Sequence, residues 1–117
     1  MAINIFRGTS DETIDRLIEA FEKYQHDHPR AEIDLYRHSR FSVRVRLVDP
    51  DFTGHNLSER SRIAWGYLDE VPDDDVGDIS QFLMLAPEEK EKSYGSMEFE
   101  DPIPSEFSPS VPDSPAR

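Results

Sequence analysis

Residues 41–49 have the sequence Phe-Ser-Val-Arg-Val-Arg-Leu-Val-Asp, and the architecture expected of the chain depends on this segment. Apolar side chains at positions 41, 43, 45 and 47 alternate with polar ones at 42, 44 and 46. This period of two predicts a strand that is buried on one side. The apolar positions then face a core, and the opposite, exposed face carries Ser42, Arg44 and Arg46. Pro50 ends the strand, because proline cannot donate to a ladder.

A helix and a first strand precede this segment. Apolar residues at positions 14, 17, 18, 21 and 24 have the spacing of an amphipathic helix. We expect Ser10 as its N-cap and an end near residues 25–27, since the residue before Pro29 disfavours helical geometry. Residues 33–36 alternate and predict a strand, which a hairpin connects to the next one. Residues 3–6 alternate weakly and are typical of a short strand or an anchored arm.

A second helix follows the segment. Asn56 and Glu59 have the spacing of a capping box, which marks the beginning of a helix. Pro72 ends this helix, and the acidic residues 73–78 are expected to form a polar connection or one further short turn of helix. The apolar stripe expected along the helix consists of Leu57, Ala64, Leu68 and Val71.

A third strand, a short helix and a tail complete the prediction. Residues 79–85 contain a short apolar run that favours a strand buried on both faces, and Pro87 is expected to begin a short helix. Residues 94–117 are rich in proline, serine and acids, and such a segment cannot offset its ordering entropy. We therefore expect a domain over 1–93 and a disordered tail over 94–117. Within the tail, residues 97–103 resemble an acidic–hydrophobic motif that either orders on a partner or folds back on the sheet.

Together these elements predict an α+β fold with a three-stranded mixed sheet and helices on one face. The strand at 41–48, the second helix and the strand at 79–85 form a crossover unit. Its connection is expected to be right-handed if the two strands are parallel.

The composition limits the classes of function. The chain has 117 residues, 25 acids against 13 bases and no cysteine, so disulfides and thiolate metal sites are excluded. No apolar run approaches the roughly 18 residues of a membrane helix, which predicts a soluble, cytoplasmic protein. Residues 63–117 carry 14 acids and 3 bases, whereas residues 1–62 carry 11 acids and 10 bases. This balance argues against a general binder of nucleic acid or of anionic membranes.

The sequence contains no recognisable catalytic arrangement. It has no nucleophile–base pair of known spacing, no phosphate-cradling glycine loop and no Gly-x-Ser-x-Gly. Asp49, Asp51 and Glu59 are acid–base candidates by residue type, but the capping role accounts for Glu59. We therefore expect a noncatalytic protein, with an enzyme on the same scaffold as a less favoured alternative.

The order of elements and three motifs resemble the BolA family. The motifs are residues 41–49 running into Asp51-Phe52-Thr53-Gly54, then Leu57-Ser58-Glu59-Arg60-Ser61-Arg62, and finally Ala86-Pro87-Glu88-Glu89. The resemblance covers about residues 10–93. It implies a fold related to one type of KH domain and a role as a small partner, chiefly of monothiol glutaredoxins, in iron–sulfur cluster handling and regulation. DNA binding is proposed for some members.

Two positions differ from the family where its members ligate clusters. The family has histidine between the two arginines of its Arg-x-Arg motif, where this chain has Ser61, and a second histidine of some members falls near Leu83. The resemblance therefore implies a fold and a role as partner, with no metal site and no cofactor. The four histidines of the chain have no recognised ligand spacing, and we expect all of them to face solvent.

Two surfaces are candidates for binding. The favoured one binds another protein through the second helix and the acidic tail, since exposed tryptophan and arginine are good interface anchors. Its expected contact residues are Arg60, Arg62, Trp65 and Phe99. The alternative reading of the tryptophan is burial against Phe52. The second surface is the exposed strand face with the loop at Gly54, where arginines and aromatic rings suit contacts with a single-stranded nucleic acid. Its expected contact residues are Arg37, Arg40, Arg44 and Arg46. The alternative interpretation is that these strand arginines provide solubility, block edge pairing or face acids on a helix.

Overall fold

The structure, a computed structural model, describes residues 3–6, 8 and 10–100. Within these residues the chain forms strands and helices in the order β1 (Ile3–Ile5), α1 (Glu12–Asp27), β2 (Glu32–Ser39), β3 (Ser42–Val48), α2 (Leu57–Gly66), α3 (Asp73–Gly77), β4 (Ile79–Leu85) and α4 (Tyr94–Glu100). Single 3₁₀ turns lie at Pro50–Phe52, after β3, and at Pro87–Glu89, after β4.

The sheet has four strands in the order β1-β2-β3-β4. β1 is parallel to β2, β2 is antiparallel to β3, and β3 is parallel to β4. The predicted α+β class and mixed sheet are confirmed, but the expected strand number is wrong. The additional strand is β1, whose Ile3 and Ile5 lie beside Ile33 and Leu35. The weak alternation over residues 3–6 left a short strand or an anchored arm as alternatives, and pairing with β2 makes the segment a strand.

The β2–β3 hairpin sets the register of the sheet. Its turn consists of Arg40 and Phe41, which differs from the expected connection at 38–40. The register then pairs residue 34 with residue 46 and residue 36 with residue 44. Phe41 is 75% exposed, so the expectation that it faces the core is wrong. It lies in the turn, outside the pleat of β3, where alternation no longer determines which side a residue faces.

Helix α1 ends at Asp27, as Pro29 predicts, but its N-cap is Asp11 rather than Ser10. Asp11 Oδ1 accepts a hydrogen bond of 2.9 Å from the backbone N–H of Ile14. Arg37 on β2 donates to both oxygens of the same carboxylate, at 3.0 and 3.2 Å. The cap is therefore fixed by a residue from the sheet, which the local sequence does not reveal.

The main core lies between the sheet and the layer of α1 and α2. Each fully buried aliphatic or aromatic side chain there contributes about 1.5–3 kcal/mol. From the helices, the first 3₁₀ turn and the turn after α2 come Ile14, Leu17, Phe21, Tyr24, Phe52, Ala64 and Leu68. From the strands come Ile33, Leu35, Val43, Val45, Leu47 and Met84.

Helix α2 begins with the predicted capping box and ends earlier than expected. Asn56 and Glu59 exchange two hydrogen bonds of 2.9 Å between side chain and backbone. The helix ends at Gly66 instead of Pro72, because glycine disfavours helix. In the turns that follow, backbone N–H groups donate to carbonyls three residues earlier, as Leu68 does to Trp65 and Val71 to Leu68. Of the predicted stripe, Ala64, Leu68 and Val71 are buried. Leu57 is 65% exposed, so its predicted burial is wrong.

The C-terminal part of the described chain differs most from the prediction. The helix expected from Pro87 is one 3₁₀ turn, and the part of the supposed tail over 94–100 is helix α4. Phe99 and Ser96 of α4 are buried against the sheet, on the face opposite the main core. Helices therefore lie on both faces of the sheet and not on one, as was expected, and residues 94–100 are helical where disorder was expected. Of the two alternatives for residues 97–103, the described part folds back on the sheet. The rest of the tail, 101–117, lies outside the described residues.

Among the helices that the structure describes, none has the length and apolar character needed to cross a membrane.

Candidate interaction surfaces

The second sheet face is polar at its centre. Asp34 and Tyr36 on β2 and Arg44 and Arg46 on β3 occupy it, because they alternate with the core residues of the same strands. The register places Asp34 opposite Arg46 and Tyr36 opposite Arg44. Arg46 Nη2 donates to Asp34 Oδ2 at 2.9 Å, so one cross-strand pair is an ion pair.

Helix α4 covers this face with an aromatic ring. The Phe99 side chain is fully buried, with its ring centroid 5.4 Å from that of Phe6 and 4.9 Å from that of Tyr36. The guanidinium carbon of Arg46 lies 4.9 Å from the Phe99 centroid, within the range of a cation–π contact. The Tyr36 hydroxyl donates to the Phe99 carbonyl oxygen at 3.0 Å.

The same helix brings carboxylates to both arginines. Arg44 Nη1 lies 2.9 and 3.0 Å from the two carboxylate oxygens of Glu98. Arg46 Nη1 donates to the Ser96 hydroxyl at 3.0 Å and to a Glu100 carboxylate oxygen. Arg46 is only 1% exposed. The expectation that Arg44 and Arg46 form a solvent-exposed strand face is therefore wrong: α4 and Asp34 pair with them.

The other two arginines of the predicted nucleic-acid surface lie elsewhere. Arg37 donates to Asp11, the N-cap of α1, and to Asp78, the residue after α3. Arg40 is exposed in the hairpin turn, where its guanidinium lies 5.7 Å from the Phe41 ring centroid. The four arginines thus do not share one open surface, and nucleic-acid binding remains an untested prediction.

Arg60, the first arginine of the predicted protein-binding set, is a buried structural residue. Its guanidinium donates to both oxygens of Glu89 at 2.6 and 3.1 Å, to the Met84 carbonyl at 3.0 Å and to the His55 carbonyl at 2.8 Å. It also lies 5.6 Å from the Phe52 ring centroid. Arg60 therefore joins α2 to edge strand β4, and it occupies an outward-facing carbonyl that a foreign strand would otherwise use.

The rest of α2 offers an accessible surface. Leu57, Ser61 and Trp65 recur every four residues and share one side of the helix with Arg62, a group called here the α2 outer face. Arg62 is exposed, Ser61 and Trp65 are half-buried, and Leu57 is the most exposed apolar residue of this helix. The Trp65 ring packs edge-on against Phe82 with centroids 5.0 Å apart, whereas the predicted contact was Phe52.

The members of the predicted protein-binding set are thus separated. Phe99 belongs to α4 and its ring is buried against the other face of the sheet, and Arg60 points into the protein, so neither is open to a partner in this conformation. Arg62 and Trp65 remain accessible on the α2 outer face.

A polar cluster at the end of α1 escaped the sequence analysis. The Tyr24 hydroxyl donates to Asp49 Oδ2 at 2.6 Å, and His28 Nδ1 lies 2.8 Å from Asp51 Oδ2 and 3.3 Å from Asp49 Oδ2. The Tyr24 and His28 rings are stacked with centroids 4.3 Å apart. Burial and the hydrogen bond to Asp49 raise the pKa of Tyr24, which keeps this hydroxyl a donor. These contacts leave His28 half-buried, so the expectation that it faces solvent is wrong. The other three histidines are exposed, as expected.

This cluster has the residue types of a metal centre but is closed by its own hydrogen bonds. One ligand atom each from His28, Asp49 and Asp51 lie within 4.8 Å of one another. Asp49 Oδ1 accepts from the backbone N–H of Asp51 at 2.8 Å, and Oδ2 accepts from Tyr24. Arg30 lies 3.2 Å from the remaining oxygen of Asp51. The cluster thus joins the end of α1 to the first 3₁₀ turn.

Acid sensitivity follows from four carboxyl groups whose pKa values are lowered, chiefly by a hydrogen bond from a basic side chain. The pairs are Asp11 with Arg37, Asp51 with His28, Asp75 with Arg16, and Glu89 with Arg60. Because the folded state binds fewer protons than the unfolded state, these pairs stabilise the protein at neutral pH. Their contribution is lost as the pH falls from about 4.5, near the ordinary carboxyl range, through the lowered pKa values.

We therefore expect the free energy of unfolding, measured by urea titration, to decrease steadily below about pH 4.5. The Asp75→Asn variant is expected to be less stable at pH 7 and to show a shallower decrease, since one linked carboxyl is gone. An identical pH slope in both proteins would contradict this assignment.

The contacts that the sequence analysis missed share one property: the two partners are remote from each other in the chain. Asp34 and Arg46 are twelve residues apart, and Arg44 and Glu98 are fifty-four apart. A local signal existed for the first pair only. A hairpin turn placed at residues 40–41 brings residue 34 opposite residue 46 or its neighbour.

Comparison of the chain with protein-family models, with curated proteins and with solved structures found no significant match.

Proposed function

We propose that this protein is a noncatalytic protein-interaction module related to BolA proteins, and that the α2 outer face binds its partner. The observation that carries the proposal is the exposure of Leu57 beside Arg62 and the half-buried Trp65 on one side of α2. Aromatic and arginine side chains supply much of the binding energy of protein interfaces. The capping box and the Arg60–Glu89 pair hold α2 rigidly, so the surface is ordered before a partner arrives.

The relation to BolA proteins draws support from the order of elements. The succession α1, β2, β3, α2, α3, β4 agrees with the order α-β-β-α-(α)-β-α that the resemblance implies up to its last helix, where the chain has a single 3₁₀ turn. The hairpin followed by a parallel β3–β4 pair also agrees with the mixed sheet expected from it. By this relation, the first partner to test is a monothiol glutaredoxin.

The noncatalytic part of the proposal is supported by the roles of the candidate carboxylates. Asp49 accepts hydrogen bonds from Tyr24 and from the backbone of residue 51, and Glu59 closes the capping box of α2. Asp51 pairs with His28 and Arg30. Each of these groups therefore has a structural role that explains its position.

A titration of the full-length protein with a purified monothiol glutaredoxin tests the proposal. We expect a stoichiometric complex that Leu57→Asp weakens by about 10-fold or more, since a buried interface leucine is replaced by a charge. Phe41→Asp is the matched control, because Phe41 is also largely exposed, at 75% against 65% for Leu57, but lies in the hairpin turn. Isothermal titration calorimetry measures both affinities. Absence of a complex, or equal weakening by both variants, would contradict the proposal.

A further inference from the structure

We infer that the sheet face formed by Phe6, Tyr36, Arg44 and Arg46, called here the basic–aromatic face, recognises an acidic–aromatic segment of a partner protein. Helix α4 occupies this face as an intramolecular competitor. The basic–aromatic face lies across the sheet from the α2 outer face, and this role is additional to the function proposed above.

Helix α4 and the face are chemically complementary. The Glu98 carboxylate pairs with Arg44, and the Ser96 hydroxyl, the Phe99 ring and the Glu100 carboxylate all contact the Arg46 guanidinium. Met97, the remaining residue of 96–100, points away and is 53% exposed. The face therefore binds a Glu-aromatic-Glu sequence, in which the aromatic residue stands between two carboxylates that pair with arginines.

Helix α4 is separable from the rest of the fold. It is seven residues long, below the length at which a helix is stable on its own, so its order depends on the face. None of its described side chains, those of residues 95–100, belongs to the main core, which lies on the other side of the sheet. Displacement of α4 thus leaves the contacts between the sheet and helices α1 and α2 unchanged.

The face itself carries an unsatisfied donor. Arg46 Nε is buried and has no hydrogen-bond partner within residues 3–6, 8 and 10–100, although Nη1 and Nη2 of the same guanidinium make three hydrogen bonds there. A buried donor without a partner is costly, so α4 does not fill the site completely. A partner segment that places a further acceptor oxygen beside Arg46 Nε binds the face more favourably than α4 does. Such a segment can therefore displace α4.

The charge distribution favours a peptide over a nucleic acid as the partner. Asp34 shares the face with Arg46 and repels a phosphate, and the chain as a whole carries a net charge of −12. An acidic segment with only two or three carboxylates meets less of this repulsion. The occupant that the structure shows is itself such a segment.

The test uses the full-length protein and a fluorescein-labelled peptide with the sequence of residues 93–101, Ser-Tyr-Gly-Ser-Met-Glu-Phe-Glu-Asp. Two variants weaken the docking of α4: Phe99→Ala removes the ring, and Glu98→Lys opposes Arg44. Met97→Ala is the matched control on the exposed side of the same helix. Trp65, the single tryptophan, packs in the distant α2 layer, so its emission reports that the rest of the fold is intact.

Fluorescence anisotropy is expected to show about 10-fold tighter binding of the peptide to Phe99→Ala and Glu98→Lys than to the wild type or Met97→Ala, because the competitor is released. Adding Arg44→Glu to Phe99→Ala is expected to abolish the gain. The inference is overturned if neither folded variant binds the peptide more tightly than the wild type. It is also overturned if a single-stranded nine-nucleotide DNA binds the released face more tightly than the peptide does.

Discussion

Replacement of Arg46 by alanine is expected to lower the free energy of unfolding by about 3–5 kcal/mol. The guanidinium is almost completely buried and contacts Asp34, Ser96, Glu100 and the Phe99 ring. Its removal leaves the Asp34 carboxylate, which is itself buried, without its ionic partner. An unpaired buried charge costs far more than a lost surface ion pair, which is worth about 1 kcal/mol or less.

Urea unfolding of two further variants separates the charge effect from the loss of packing. Arg46→Met with Asp34→Leu removes both charges and keeps most of the volume, so we expect it to recover most of the lost stability. Arg44→Ala is expected to cost less than Arg46→Ala, since Arg44 is only half-buried and pairs with Glu98 at the edge of α4. A loss under about 1 kcal/mol for Arg46→Ala would contradict the burial of this side chain under α4.

The second large effect is expected at Asp49, whose replacement by alanine should destabilise the protein by about 2–4 kcal/mol. The carboxylate is fully buried, caps the first 3₁₀ turn and accepts a 2.6 Å hydrogen bond from Tyr24. Without it, the Tyr24 hydroxyl becomes a buried donor with no partner. Most of the cost arises from that unsatisfied group and from the lost cap.

A double-mutant cycle with Tyr24→Phe checks this explanation by thermal and urea unfolding. Once the hydroxyl is absent, Asp49→Ala should cost less by about 1–2 kcal/mol, which is the coupling between the two groups. Asp51→Ala is the matched control, because Asp51 belongs to the same cluster but its side chain is about half exposed. Equal losses for Asp49→Ala in both backgrounds would show that the hydrogen bond is not the cause.

Much of the fold could be predicted because its signals are local. The apolar spacing of α1, the capping box of α2 and the alternation of β2 and β3 each arise within one element. The parallel pairing of β3 and β4 agrees with the crossover unit expected from the intervening helix.

Elements that depend on distant contacts could be predicted only as one of two alternatives. Residues 3–6 were expected as a short strand or an anchored arm, and residues 97–103 as a segment that orders on a partner or folds back on the sheet. β1 and α4 are three and seven residues long, and both are ordered by the sheet rather than by their own sequence. Alternation also misassigned Arg44 and Arg46, since it separates polar from apolar sides but cannot show that residues 96–100 cover the polar side. The exposure of Leu57 was missed for a related reason: it is the first residue of α2, where the stripe no longer reaches the core.

The docking of α4 on the basic–aromatic face is the central structural claim, because the roles of Arg44 and Arg46 and the competition with a partner all depend on it. A nuclear Overhauser spectrum of the full-length protein tests it most directly. We predict cross-peaks from the Phe99 ring to the rings of Phe6 and Tyr36, whose centroids lie 5.4 and 4.9 Å away. Phe99 resonances at unfolded positions, with no cross-peak to either ring, would contradict the account.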